Sequence, residues 1–150
     1  SDDQIDEYGM KLRELAQSLG ENKVVFTGFV PPSDIPSHFL LGDVFVHSSQ
    51  WQEPLARVHY EAMGAGLPII TTNRGGNAEI MSHLKNGIVI DDYTNPEAFA
   101  EAINYLFSNK EQADSIAKAG REFVEANFGF EHVTLRLETL YLAAIKRKKF

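Results

Sequence analysis

Two glutamates and a pair of glycines are the residues of this chain whose types and spacing could do chemistry. Glu53 and Glu61 stand eight positions apart in the stretch QWQEPLARVHYEAMGAG, and Gly75 and Gly76 follow in TTNRGGN. Carboxylates accept hydrogen bonds from neighbouring hydroxyl groups, and a glycine turn after a strand presents backbone N–H groups to an anion. These residues are therefore candidates to bind a ligand that has hydroxyl groups at both ends and an anionic centre.

The position of Pro54 predicts how the two glutamates are placed. Proline is favoured as the first residue of a helix, so we expect a helix that begins at Pro54, with Glu53 at its mouth beside unpaired backbone N–H groups. Glu61 then lies about two turns further along, roughly 12 Å from Glu53 at a rise of ~1.5 Å per residue. That distance is on the scale of a sugar ring, a diphosphate and a ribose laid end to end, so each glutamate could hold one of the two sugars. Taken alone, Glu61 is better explained as a solvated helix residue or an ion-pair partner.

The elements that must position these residues alternate between strands and helices. Short runs of β-branched and apolar residues predict strands at VVF, DVFVHSS, LPIITT and NGIVID. Apolar residues at helical spacing predict helices, one with Asn95 as N-cap and Pro96 as first residue, and two more near 111–127 and 130–147. The chain is therefore predicted to be an α/β protein, with a Rossmann-like parallel sheet covered by helices on both faces.

Parallel strands place the loops that follow them along one edge of the sheet, and ligands bind outside that edge. The loops that follow the predicted strands are TGFVPP, SSQWQEP, TNRGGN and DDYTNP. Three of them contain glycine or polar residues suited to a ligand. GAG at 64–66 lies between a helix and a strand, so we interpret it as a helix end and not as a phosphate loop.

Composition excludes several classes of protein. The chain has 150 residues, 43% of them hydrophobic, which suits one domain with its own core. A formal net charge of −7 gives no basic field for nucleic acid, and the lack of cysteine excludes disulfide and thiolate chemistry. No apolar run is long enough to cross a bilayer and the first residues do not form a signal peptide, so a cytoplasmic protein is predicted. The final KRKKF is interpreted as a solvated helix end, with contact to a membrane surface as the alternative.

The five histidines of the chain do not have the spacing of a metal site, so no metal is expected. We interpret His47 and His59 as packed or hydrogen-bonded structural residues.

The stretch EPLARVHYEAMGAGLPIITTNRGGNAE resembles the signature of the retaining family-4 glycosyltransferases, which have the GT-B fold. The shared pattern is a glutamate, a second glutamate eight residues on, then Ala-Met, Gly-x-Pro and Gly-Gly before another glutamate. VVFTGFVP upstream and NGIVIDD downstream match the same family in the same order, so the resemblance covers essentially all 150 residues. EPLARVHYEAM is further similar to a bacterial branch that includes spore-coat and surface-polysaccharide transferases.

The resemblance implies a role for each matching residue. Glu53 matches the first glutamate of the pattern, the expected catalytic residue, which contacts hydroxyls of the donor sugar. Glu61 matches the glutamate that binds the ribose hydroxyls. Val30, in the turn after FTG, matches a position whose backbone meets the nucleobase.

Four further residues are implied to meet the donor through the backbone. Leu55 and Ala56 match a loop whose amides approach the sugar and phosphate, and Gly75 and Gly76 match a turn that lets the chain pass close to the ligand. Many family members have Phe-Gly where this chain has Leu55 and Ala56, and the Cβ of alanine restricts the backbone more than glycine does. Arg57 follows, either as a cation near the phosphates or as a surface residue.

Domains of this family contain parts that have no match here. These are two preceding strands with a Gly-Arg and a Lys that grip the diphosphate, and an amino-terminal domain that holds the acceptor. The two strands are expected between VVF and DVFVHSS in the sheet. The resemblance thus implies that 1–150 is a single partial nucleotide-sugar-binding domain, whose terminal helix over 130–150 packs on the absent amino-terminal domain. We expect such a fragment to be inactive alone.

The implied function is transfer of a sugar from a nucleoside-diphosphate sugar to an acceptor hydroxyl with retained configuration, in the synthesis of cell-surface or spore-coat polysaccharide. No cofactor is implied beyond this donor, and the acceptor is an unidentified glycan, lipid or protein. The expected location is the cytoplasm, peripheral to a membrane or to the spore coat. The alternative is a non-catalytic nucleotide-sugar-binding or structural coat module of the same fold. A GT-B sugar-nucleotide epimerase also stays open, whereas a generic dinucleotide binder lacks its glycine fingerprint.

Overall fold

A computed structural model of the chain describes residues 7–52 and 54–147. It divides the chain into two compact units, Ser1–Asp34 and Ile35–Phe150. The single partial domain over 1–150 stays a prediction.

In its described residues the first unit contains the helix α1 (Glu7–Ser18), and Gly20 follows at a φ of +98°. Residues 24–30 carry no regular secondary structure, so the prediction of a strand at VVF is wrong. A strand exists only where a neighbouring strand shares its hydrogen bonds. Within the described residues, 24–30 make no backbone–backbone hydrogen bond.

The second unit alternates helices and strands. Its elements in chain order are α2 (Ile35–Phe39), β1 (Phe45–His47), α3 (Val58–Gly64), β2 (Ile69–Thr72), a 3-10 helix (Gly75–Glu79), β3 (Ile88–Ile90), α4 (Pro96–Ser108), α5 (Lys110–Asn127) and α6 (Phe130–Arg147). The strands pair in parallel in the order β1-β2-β3, with Phe45 opposite Ile69 and Ile70 opposite Ile88. The predicted α/β fold with a Rossmann-like parallel sheet is confirmed.

The hydrophobic core lies on both faces of β2, whose four residues are all buried. Ile70 packs in one cluster with residues of β3, α4 and α5, including Leu106 and Ile116. Ile69 packs in a second cluster with Met63 of α3. Successive side chains of a strand point to opposite faces, so neighbouring isoleucines of β2 reach the two clusters. Helices therefore cover both faces, as a parallel sheet requires.

The helix ends agree with several of the predicted signals. The N–H of Glu97 donates to Oδ1 of Asn95 at 3.0 Å, and Pro96 is the first residue of α4, as predicted. α3 ends at Gly64 and Gly66 follows at a φ of +78°, which confirms GAG as a helix end. α5 and α6 confirm the helices predicted near 111–127 and 130–147. None of the described helices has the length and apolar character needed to span a membrane.

Candidate functional site

The loops that follow β1, β2 and β3 lie along one edge of the sheet, because the three strands are parallel. Direct hydrogen bonds join these loops to one another. Thr72 Oγ1, at the end of β2, donates to the carbonyl of Ser49 at 2.6 Å. Asn73 Nδ2 donates to Asp91 Oδ1 at 2.7 Å. The edge is therefore a connected polar surface across three strands.

Arg74 contacts both of the neighbouring loops. Its Nε donates to the carbonyl of Gln50 at 3.1 Å, in the loop after β1. Its guanidinium carbon lies 4.7 Å from the ring centroid of Tyr93, in the loop after β3. Arginine stacks well on aromatic faces because its guanidinium is planar and weakly hydrated.

The Gly-Gly turn follows directly. The N–H of Gly75 donates to Oε1 of Gln52 at 2.7 Å, and Gly75 has a φ of +53°, which favours glycine. A Cβ built on Gly76 would lie 1.9 Å from the carbonyl oxygen of Pro54 and 3.3 Å from Cβ of Leu55. Glycine is therefore required at 76 because the Pro54 backbone passes directly against it. Contact of this turn with a ligand stays a prediction.

The helix that carries Glu61 begins later than predicted. The prediction that Pro54 is its first residue is wrong, since α3 begins at Val58 and its first backbone hydrogen bonds run to the carbonyls of Ala56 and Arg57. Pro54 instead lies against Gly76, outside the helix. The estimate of roughly 12 Å between the two glutamates assumed a continuous helix, so its premise is wrong, and the distance itself stays a prediction. Glu53 lies outside the described residues, and its role stays a prediction.

Glu61 lies on the first turn of α3 with its side chain 40% exposed. Its Oε1 is 3.8 Å from Nη2 of Arg57, whose side chain is 91% exposed. Such a surface ion pair holds its partners only weakly. The Glu61 carboxylate is thus accessible to solvent, and Arg57 matches its interpretation as a surface residue. A hydroxyl-bearing ligand could displace this pair without first breaking a buried contact.

Leu55 and Ala56 lie directly before α3, in the loop that packs on the Gly-Gly turn. Both residues are half-buried, and within the described part of the chain neither N–H donates a hydrogen bond. The carbonyl of Ala56, in contrast, accepts from both the N–H and Nδ1 of His59. These two amides beside the Gly-Gly turn are available to an external acceptor.

His59 connects this loop to the sheet, a role that the sequence did not indicate. It is fully buried, with Nδ1 2.9 Å from the carbonyl of Ala56 and Nε2 2.8 Å from Oγ1 of Thr71. A carbonyl only accepts, so Nδ1 carries the proton of that bond. The ring centroid of His47 lies 4.7 Å away. The interpretation of these histidines as packed, hydrogen-bonded residues agrees with this geometry.

Asn77, directly after the turn, is fully buried, and among the described residues neither side-chain polar atom has a hydrogen-bond partner. Val30 belongs to the unit Ser1–Asp34, so its contact with a nucleobase stays a prediction.

In the part of the chain that the structure describes, no three His, Cys, Asp or Glu residues are arranged to hold a metal ion. The expectation that no metal or cofactor takes part also stays a prediction.

A parallel sheet covered by helices on both faces is a Rossmann-like α/β domain, and comparison with known proteins identifies the family. Residues 6–123 match the family described as glycosyl transferases group 1, and the chain belongs to it. The Bacillus subtilis protein YtcC, named as a glycosyltransferase, is 49% identical over 152 residues, and Spore coat protein SA of the same organism is 49% identical over 140 residues. These matches cover 100% and 93% of this chain, but the chain spans only 37% of each relative.

A solved structure shares the fold. Anabaena Alr3699/HepE, crystallised with UDP-glucose, superposes with a TM-score of 0.79 at 28% sequence identity, over 91% of this chain and 36% of that chain. The fold is thus the Rossmann-like carboxyl-terminal half of a GT-B glycosyltransferase. The resemblance drawn from the sequence is confirmed for the glycosyltransferase family, whereas retention of configuration stays a prediction.

Proposed function

We propose that this chain is the donor-binding part of a retaining glycosyltransferase, which transfers a sugar from a nucleoside-diphosphate sugar to an acceptor hydroxyl. The observation that carries the proposal is the loop at Leu55 and Ala56, whose amides have no hydrogen-bond partner among the described residues. Leu55 lies against the Gly75-Gly76 turn, and the accessible carboxylate of Glu61 follows on α3. Amide donors suit phosphate oxygens, and a carboxylate suits ribose hydroxyls. The complex of the similar Anabaena protein with UDP-glucose supports the same class of donor.

In the proposed reaction these amides and carboxylates stabilise the charges that develop in the transition state. As the bond between the sugar and the diphosphate breaks, positive charge develops on the sugar ring and negative charge on the leaving diphosphate. Fixed N–H donors that already point at the developing charge lower this barrier without reorganisation. In the proposal Leu55 and Ala56 donate to the diphosphate, Glu61 fixes the ribose, and Glu53 contacts hydroxyls of the donor sugar as the catalytic residue.

The rest of the protein is part of the proposal. α6 has no buried residue, and four of its leucines are exposed: Leu135, Leu137, Leu140 and Leu142. These exposed apolar side chains support a partial domain over 1–150 whose last helix packs on an amino-terminal domain that holds the acceptor. Lys146 and Arg147 in the last turn of α6 complement the helix dipole, which favours a solvated helix end over a membrane contact. The name of the 49% identical Spore coat protein SA supports the spore-coat part of the proposal. Synthesis of surface polysaccharide and a cytoplasmic location beside the coat or membrane are further parts of it.

A titration of donors tests the proposal. UDP-, GDP-, ADP- and dTDP-sugars are added to the intact protein while the fluorescence of Trp51, 72% exposed and two residues before Glu53, is followed. We expect one donor class to saturate the signal, and Glu61→Gln to weaken its binding about tenfold, the loss of a charged hydrogen bond. Glu53→Gln should leave binding measurable and reduce the rate of sugar transfer.

The matched control is Glu125→Gln. Glu125 is also an exposed glutamate in an i,i+4 pair with an arginine, Arg121 at 2.8 Å, but it lies on α5 and not in a loop that follows a strand. Its substitution should leave donor binding unchanged. A flat response of the wild-type protein to every donor would contradict the proposal.

The second candidate function is a non-catalytic coat module, which the name of Spore coat protein SA favours. The two candidates differ in one measurement on the intact protein with its acceptor. Donor binding followed by sugar transfer supports the transferase, and binding without transfer or hydrolysis supports the coat module.

A further inference from the structure

The loop between β1 and α3 runs alongside the segment that follows β2. Ser49, Gln50 and Gln52 each accept a hydrogen bond from a residue of that segment, namely Thr72, Arg74 and Gly75 in the same order. Pro54 then lies directly against Gly76. Three hydrogen bonds and one close packing contact therefore join the two segments, in the same order along both.

Arg74, in the segment after β2, also contacts the loop that follows β3. Its bond to Gln50 depends on the Nε–H donor, and its contact with Tyr93 depends on the planar guanidinium. Lysine has the same charge but neither the planar group nor the Nε donor. These two contacts therefore require arginine, and lysine could not replace it in them.

We propose that Arg74 is a positioning residue for the donor site: held on Tyr93, it fixes the loop at Gln50 and so sets where Leu55 and Ala56 present their amides. This inference rests on the proposed function. It differs from a role as a phosphate ligand, because Arg74 acts through protein groups. It also assigns Tyr93 a function, as the aromatic face that holds Arg74.

The first test needs no donor. The N–H of Gly75, which donates to Gln52, reports whether the two segments stay paired, so its hydrogen exchange is followed by NMR in the intact protein. We expect Arg74→Lys and Tyr93→Leu to speed exchange at Gly75 about tenfold, while exchange at the fully buried Ile70 is unchanged. Tyr93→Phe keeps the aromatic ring and should restore the wild-type rate.

The second test measures donor affinity in the same variants. Arg74→Lys and Tyr93→Leu should each weaken binding about tenfold, and the double variant should be no weaker than Arg74→Lys alone, because Tyr93 acts only through Arg74. Tyr93→Phe should bind as the wild type does. The control Arg121→Lys, in an exposed pair with Glu125, should change neither exchange nor affinity.

Each result has a defined meaning. Wild-type affinity in Arg74→Lys, or no effect of Tyr93→Leu, overturns the proposal. Arg74 would then be either a charge that acts on the donor directly or a surface residue without a role in binding. Additive losses in the double variant overturn it as well, since they require two independent contacts. If exchange at Gly75 responds while the wild-type protein binds no donor, the proposed function fails and Arg74 is left with a structural contact alone.

Discussion

The contact between Gly76 and the Pro54 carbonyl gives the sharpest prediction of the structure. Replacement of Gly76 by alanine places a Cβ 1.9 Å from that oxygen, about 1.5 Å closer than the 3.4 Å at which ordinary contact begins. The obstacle is backbone and not the flexible end of a side chain. Pro54 must therefore move, and with it Leu55 and its unpartnered amide.

We expect Gly76→Ala to lower the free energy of unfolding by about 1–3 kcal/mol, the range for overpacking of a close-packed site. Urea unfolding of the intact protein measures this change from the midpoint at constant slope. Donor affinity should fall as well, because the Leu55 and Ala56 amides are displaced. The effect on binding should exceed what the small loss of folded protein explains.

Gly64→Ala is the matched control. Gly64 is the last residue of α3, and a Cβ built on it meets nothing within 4 Å. Alanine is a better helix former than glycine by roughly 0.5–1 kcal/mol, so this variant should be as stable as the wild type or more stable. If Gly76→Ala unfolds and binds donor as Gly64→Ala does, the close packing of the loop on the turn is refuted.

Three further predictions concern the core, a helix cap and pH. Met63→Ala removes a fully buried side chain beside Ile69 and should lower the free energy of unfolding by about 2–5 kcal/mol, measured by urea unfolding. Asn95→Ala removes the acceptor for the N–H of Glu97 and should cost about 1 kcal/mol in the same assay, whereas Asn95→Asp should not. Burial, and to a lesser extent the charge of Glu79, raise the pKa of Tyr60 above its ordinary value of 10.0. The folded protein therefore keeps the phenol proton to a higher pH than the unfolded chain does. The contribution of Tyr60 to stability is complete below pH 10 and is lost as the pH rises through the folded pKa. Tyr60→Phe should flatten that decline in thermal unfolding between pH 9 and 11, and an unchanged decline would contradict the shift.

The parts of the fold that the sequence predicts well are those set by local chemistry. The four β-branched residues of β2 have no polar alternation, which indicates a strand buried on both faces, and β2 is such a strand. Asn95 and Pro96 fix the start of α4 through their own side chains. These signals need no distant partner.

The errors arise where a distant contact decides the local structure. Pro54 is suited to the first turn of a helix, but its carbonyl lies against Gly76, and α3 begins only at Val58. VVF has the composition of a strand, yet within the described residues no neighbour pairs with it. Propensity is a weak prior in both cases, because tertiary context overrides it.

The residues of the candidate site likewise fall into those that the sequence indicates and those that it does not. Glu61 and the glycines stand out in the sequence because their residue types already suggest chemistry. Gln52, Arg74 and Tyr93 do not, since an amide, a cation and a phenol are common on surfaces, and their pairing exists only once three loops meet. The residues that position a site are thus less visible in a single sequence than those that suit its ligand.

The hydrogen bonds that join the loops after β1, β2 and β3 bear on the design of chimeras. A loop exchanged alone from a relative would bring a new backbone against Thr72 and Arg74, which are placed for Ser49 and Gln50. The strands beneath are held by separate apolar clusters and would tolerate the exchange. Donor preference should therefore transfer between relatives only when the three loops are moved as one set.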